Sequence, residues 1–293
     1  MPDRHKKEGT AMDTATQRQK AETFRKMHDR TPILVLPNAW DVASAKIFEA
    51  AGFRAVATTS SGVANSLGYP DGEAVSRDEM LDVIARIARG LVVPLSADIE
   101  GGYAPDVEAL KANIRAVIDA GAVGINLEDS MKDGSHQLYS VETAVARIKA
   151  ARSAADSAGV PIVINARTDV FLHAIGDKSS RFDQSVSRAN AYLAAGADCA
   201  FVPGPADAAL IGKLAAAIAG PINAMVLPGM PSAPELEKLG VARVSMGGGP
   251  ARAALTTVRR IAEELLRDGT YSRFTSPETI SHLEMNQLIA QKS

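Results

Sequence analysis

Cysteine is nearly missing from this sequence: Cys199 is the only one in 293 residues. No disulfide can form within the chain, which suits a reducing cytosol and excludes the stapled fold of a small secreted domain. Charges almost cancel, with 32 Lys and Arg against 34 Asp and Glu and a net charge of −2. That balance gives no electrostatic reason to expect nucleic acid or an anionic membrane as a partner. Long apolar runs are missing as well. Nothing approaches the ~20 consecutive apolar residues that cross a bilayer. The opening MPDRHKKEGTAMDTATQRQK lacks the apolar segment of a secretory signal. The expectation is a cytoplasmic protein acting on a small molecule.

What the chain does have is one pattern, repeated. Apolar, β-branched runs begin at Ile33, Ala55, Val93, Val123, Pro161, Asp198, Pro221 and Ala242. Such continuous runs suit parallel strands buried on both faces. Between them, 44–51, 77–89, 106–120, 141–158, 180–195, 205–219, 233–239 and 250–266 show helical spacing of apolar positions. Gly52, Gly121, Gly159, Gly196 and Gly220 fall where these helices should end, and glycine tolerates the left-handed backbone that stops a helix. Strict β–α alternation, eight times over, predicts an α/β fold: a closed (β/α)8 TIM barrel. An open doubly wound sheet would want GxGxxG after its first strand, and none is there. A barrel takes roughly 250 residues. One domain, 1–293, is therefore expected: a helical extension at 1–30, the barrel at 31–268 and a helical segment at 269–293.

Catalytic groups of such barrels gather at the C-terminal ends of the strands, and several ends here are polar. The third run ends Asp98-Ile99-Glu100-Gly101-Gly102, and alternation puts Asp98 and Glu100 on one face. Like charges held together call for a cation or a shared proton. Oxygen donors select a hard cation such as Mg2+, with Mn2+ as the alternative. The fourth run ends Asn126-Leu127-Glu128, and its neighbouring position lets Glu128 complete a metal set of Asp98, Glu100 and Glu128. The fifth presents Asn165, Arg167 and Asp169 on one side, where a core arginine needs a carboxylate from protein or substrate. The second ends Thr59-Ser60-Ser61-Gly62, a loop that can offer N–H groups to a carboxylate. After Glu128, the segment Lys132-Asp133-Gly134-Ser135-His136 reads as a lid, with Lys132 and His136 as mobile acid/base candidates. Cys199, His173 and Trp40 read as packing residues, and Asp41 or Ser44 as a helix cap.

Taken in order, NAWDVASA, TTSSG, LGYPD, DIEGGY, NLEDS and NARTD resemble the isocitrate lyase/phosphoenolpyruvate mutase superfamily over about Ile33 to Arg252. The resemblance implies Mg2+ on Asp98, with Glu100 and Glu128 reached largely through water. It implies a 2-oxo carboxylate seated on Ser60, Ser61, Gly62, Asn165 and Arg167, and Asp71 near the reacting end. It implies catalytic roles for Arg167, Glu128 and the lid, and a C-terminal helix exchanged within a homodimer or homotetramer. Departures are visible. The lid KDGSHQ has no cysteine, unlike the isocitrate and methylisocitrate lyases. Ser130 stands where the phosphonate branch has lysine, and Glu100 where the usual residue is Asp. The resulting expectation is a Mg2+-dependent carbon–carbon lyase cleaving a small 2-oxo acid or its precursor through an enolate. The alternatives are a C–P mutase or hydrolase acting on phosphoenolpyruvate or phosphonopyruvate, and a non-catalytic oxo-acid-binding barrel. A Schiff-base aldolase is disfavoured because Lys46, Lys111 and Lys149 fall in helices.

Overall fold

A computed structural model of the chain describes residues 13–29, 31–135 and 137–290. His136 and the first twelve residues of the predicted N-terminal extension lie outside the described residues. Among the described residues, nine strands form one parallel sheet that closes on itself. The first predicted run is broken by Pro37 into β1 (Leu34–Leu36) and β2 (Asn38–Ala39). β1 pairs with the last strand and β2 with the third, so one bent stave seals the barrel. Proline has no N–H for the ladder, yet the Pro37 carbonyl still accepts from Ala57 N at 2.8 Å. Eight predicted strands thus become nine segments of an eight-stave barrel.

The remaining strands are β3 (Val56–Thr58), β4 (Leu95–Asp98), β5 (Gly124–Glu128) and β6 (Val163–Arg167). β7 (Cys199–Phe201), β8 (Ile222–Met225) and β9 (Arg243–Ser245) complete the ring. Register decides which side chains share a level. Asp98, Asn126 and Asn165 stand in one row, and Glu128 stands beside Arg167 one step higher.

Helices follow the strands, and their caps are legible. Asp41 and Ser44 form a reciprocal capping box at the start of α2 (Val42–Ala50), with Ser44 N at 2.7 Å from Asp41 Oδ1. Gly159 ends its helix left-handed, whereas Gly220 has no positive φ. Gly220 packs instead: a Cβ there would meet Leu193 at 2.9 Å. One helix goes beyond the sequence pattern. α3 (Ser60–Leu67) begins in the second loop, capped by Thr59.

α1 (Thr14–Lys26) plugs the N-terminal end of the barrel. Gln17 Nε2 donates to the carbonyls of Ile118 and Ala122, and Arg25 pairs with Asp198 at 2.9 Å. Phe24 and His28 point inward and are buried. The last barrel helix is α4 (Gly249–Asp268), and the predicted C-terminal segment holds α5 (His282–Ala290). α5 lies against α2, yet none of its residues is buried. Among the described residues no helix is long and apolar enough to cross a membrane.

Candidate active site

Asp98 ends β4 beneath the first turn of α3. Its Oδ2 accepts from Ser60 N at 3.0 Å, and its Oδ1 accepts from Asn126 Nδ2 at 2.9 Å and, at the long limit of 3.5 Å, from Glu100 N. A carboxylate offers about four acceptor positions, so room for a further contact remains. Ile99 turns away into the core, as alternation predicts. Glu100 lies past the strand end with φ +51°. Glu73 and Tyr103 share this left-handed backbone, at φ +60° and +53°. The three are tied together: Glu73 N donates to Glu100 Oε1 at 2.9 Å, and Tyr103 N to Glu73 Oε1 at 3.0 Å. Non-glycine residues held left-handed cost energy and tend to mark functional loops. Nothing in the sequence singled out Glu73 or Tyr103, because their role comes from contact between two loops distant in the chain.

Glu128 is gripped from two sides. Arg167 Nη1 lies 2.8 Å from its Oε2, and Lys132 Nζ bonds its Oε1. Lys132 also reaches Glu100 Oε2 at 3.0 Å. Burial pushes the Glu128 carboxyl up, while Arg167 and Lys132 pull it down. For Lys132, burial favours the neutral amine, but Glu128 and Glu100 outweigh it and raise its pKa. The net result is a Glu128 carboxyl raised to about 7 beside a protonated Lys132. Burial also raises Glu100, against the pull of Lys132.

Arg167 is itself over-determined. Its Nε bonds Asp169 Oδ1 at 2.6 Å, and its guanidinium lies over the Phe201 ring. Asp169 further takes the Ser130 hydroxyl, and His173 Nε2 stands 3.7 Å from its Oδ2. Asn165 is fully buried and uses its Nδ2 on Asn126 Oδ1 at 2.9 Å. Asp71 sits at the rim, still open to solvent. Protein on its other sides pushes its carboxyl up, Asp98 adds to that, and Ser60 opposes it.

Gly62 has no room for a side chain, since a Cβ would come within 2.7 Å of Thr59 Cγ2 and 2.9 Å of Trp40 Cβ. Trp40 thus packs at the mouth, as predicted. Ser61 faces the loop after β9, where a Cβ on Gly248 would stand 2.4 Å from its hydroxyl. That loop is fixed by Asn38, whose Oδ1 accepts from Met246 N and Gly247 N at 2.8 and 3.1 Å.

The lid is a hairpin. Ser130 and Leu138 form an antiparallel bridge, and Met131 N donates to Gln137 O at 2.8 Å. Its base is clamped from behind by Asp129, which accepts from Tyr192 Oη at 2.6 Å and Arg188 Nη1 at 3.1 Å. Burial is the first cause of the raised Asp129 carboxyl, and Tyr192 counters it. Cys199 is buried at the strand start, its thiol pushed up to about 12 by burial, so it is inert.

Among the described residues, no three His, Cys, Asp or Glu side chains converge closely enough to ligate one ion together. The ammonium of Lys132 stands between Glu100 and Glu128 instead. The donor chemistry still fits a hard cation, with Asp98 as direct ligand and the other two carboxylates in an outer ring. Asp98, Asn126, Asn165 and Arg167 line a cavity of about 40 Å³ inside the barrel. A larger cavity of about 400 Å³ opens at the opposite, N-terminal end between Lys26, Pro32 and Phe53. It lies away from the catalytic face of such barrels and gathers no comparable set of buried charges.

Comparison with known proteins identifies the family. A family model described as phosphoenolpyruvate phosphomutase matches residues 24–266. The chain belongs to this family. Within the wider isocitrate lyase/phosphoenolpyruvate mutase superfamily, an uncharacterized protein of Mycobacterium tuberculosis is 37% identical over 80% of this chain and 84% of its own. A Burkholderia cenocepacia structure, provisionally described as a phosphonomutase, is 43% identical with a TM-score of 0.80, covering 84% of this chain and 99% of that one. Oxaloacetate decarboxylase 2 of Pseudomonas fluorescens is 29% identical over 73% of both chains. A phosphonopyruvate hydrolase solved with oxalate and Mg2+ is 25% identical with a TM-score of 0.79, covering 92% of this chain and 94% of that one. The superfamily is one of lyases, mutases and hydrolases acting at C–C or C–P bonds.

Proposed function

We propose that this protein is a Mg2+-dependent lyase that cleaves a C–C bond of a small 2-oxo acid, or of its aldol-type precursor, through an enolate. The observation carrying this reading is that the half-buried, rigidly paired Arg167 lines the same cavity as Asp98. A guanidinium and a metal-binding carboxylate facing one space suit a planar 2-oxo carboxylate. Mg2+, held by Asp98 with Glu100 and Glu128 through water, would supply Lewis-acid stabilisation of charge at the 2-oxo oxygen.

The chain's own residues supply the rest. The N-terminus of α3, with Ser61 and Gly62, receives the substrate carboxylate opposite Arg167. Ser60 N and Asn165 Nδ2 are engaged on Asp98 and Asn126, so these two shape the site from behind. Asp71 stands at the reacting end. Lys132 carries its proton at Nζ, held there by Glu128 and Glu100. As an ammonium it cannot act as the base, and its charge can stabilise the departing fragment by hydrogen bonding. The hairpin lid that carries Lys132 closes the site against water.

The test is a panel of 2-oxo diacids, substituted malates and phosphonopyruvate, assayed with Mg2+ and with EDTA. At least one C–C substrate should turn over and stop on chelation. Phosphate release from phosphonopyruvate alone would replace C–C by C–P chemistry, and turnover indifferent to EDTA would contradict the metal role. The open apolar residues of α4 and α5, Leu266 at 91% and Leu283 at 66% exposure among them, fit burial against a second copy. A homodimer or homotetramer is expected in light scattering, and a monomer at micromolar concentration would exclude it.

A further inference from the structure

Asp98 imposes a direction on the hydrogen bonds beneath it. A carboxylate only accepts, so Asn126 must turn its Nδ2 toward Asp98 Oδ1, and does so at 2.9 Å. Asn126 Oδ1 then becomes the acceptor for Asn165 Nδ2, also at 2.9 Å. Both amide orientations follow from the carboxylate, which removes the usual ambiguity of such side chains. The row continues to Asn165 Oδ1, a buried acceptor that meets no donor among the described residues.

Two residues lining the same cavity carry buried donors without a partner among the described residues: Ser96 Oγ and Arg243 Nε. Arg243 stands at the base of the barrel with its guanidinium out of solvent. Its Nη1 lies 3.5 Å from His28 Nε2, and His28 Nδ1 donates to Phe24 O at 2.9 Å, so Nε2 is a neutral acceptor. Among the described residues no carboxylate lies within ion-pair distance of Arg243. An unpaired acceptor and two unpaired donors around one space are the partners a buried water wants. The cavity of about 40 Å³ has room for two or three.

We propose that Asn165 is a positioning residue for Asp98. With water held by Arg243 and Ser96, it completes a one-way donor chain: Arg243, water, Asn165, Asn126, Asp98. The chain fixes the rotation of the Asp98 carboxylate, so its remaining acceptor position faces the mouth of the barrel. Asn165 then shapes the cation site without touching ion or substrate. This inference rests on reading Asp98 as the metal ligand.

The test is Mn2+ binding, followed by electron paramagnetic resonance, with no substrate present. Asn165→Asp conserves shape but can only accept. Asn126 must then turn Nδ2 downward and face Asp98 with an oxygen. The Mn2+ dissociation constant should rise about tenfold or more, the size expected when a residue behind a metal ligand is lost. Simple charge attraction predicts the reverse, since an added carboxylate near a cation tightens binding. Asn165→Leu removes the donor without adding charge and should also weaken binding. Thermal melting checks that both variants fold. Weakening by both in folded protein is the expected result. Unchanged or tighter binding in both would overturn the inference. Wild-type protein that binds no Mn2+, or Asp98→Ala that binds it as wild type does, would overturn the metal reading beneath it.

Discussion

Arg167→Met will lower stability and activity together, and Arg167→Lys will separate them. The guanidinium neutralises two carboxylates, Glu128 and Asp169, whose side chains are only 3% and 0% exposed. Removing one partner of a buried pair costs about 3–5 kcal/mol, because the other charge stays in low dielectric. For a chain of this size that is a fall in Tm of roughly 5–15 °C. In Arg167→Met, Lys132 still attends Glu128, so Asp169 is the group left most exposed to the loss. Turnover should fall as well, by about 10²–10³ in kcat/KM, the size of a lost electrostatic contact in the transition state. Lysine restores the charge and most of the melting temperature. It cannot reach Glu128, Asp169 and a substrate carboxylate with one planar fork. Arg167→Lys should therefore melt near wild type and remain slow. A lysine variant with full activity would remove Arg167 from substrate binding and leave it a structural ion pair.

Much of the fold was written in local patterns. Period and composition gave the alternation of strands and helices, and caps such as Asp41 and Ser44 were readable from residue type and spacing alone. The break at Pro37 was readable in principle, since proline cannot donate to a ladder, but which strand each half would pair with depends on barrel closure. α3 escaped because Thr59, Ser60, Ser61 and Gly62 are individually turn-like, and the cap on Thr59 outweighs that composition. The candidate site divides the same way. Alternation along β4, β5 and β6 placed Asp98, Glu128 and Arg167 on inward faces. It could not anticipate Lys132 lying between Glu100 and Glu128, because the lid folds back on itself. Glu73, Asn38 and Arg243 went unread for a similar reason, as each acts across a gap between distant segments.

Asp98→Asn is the second large effect. Asparagine keeps the shape and its one oxygen can accept from Ser60 N; its Nδ2 then faces Asn126, whose amide can turn to accept, so the barrel should fold and melt much as wild type. What it lacks is the anionic oxygen that a hard cation requires. Turnover should drop by about 10³-fold or more, consistent with loss of charge stabilisation at the reacting oxygen. The most direct measurement is calorimetry with oxalate, a planar dicarboxylate that mimics the enolate of a 2-oxo acid. Oxalate is titrated into wild type with Mg2+, into wild type with EDTA, and into Asp98→Asn with Mg2+. Binding confined to the first titration is the result expected of a metal-dependent enolate site built on Asp98. Equal binding in all three would contradict it.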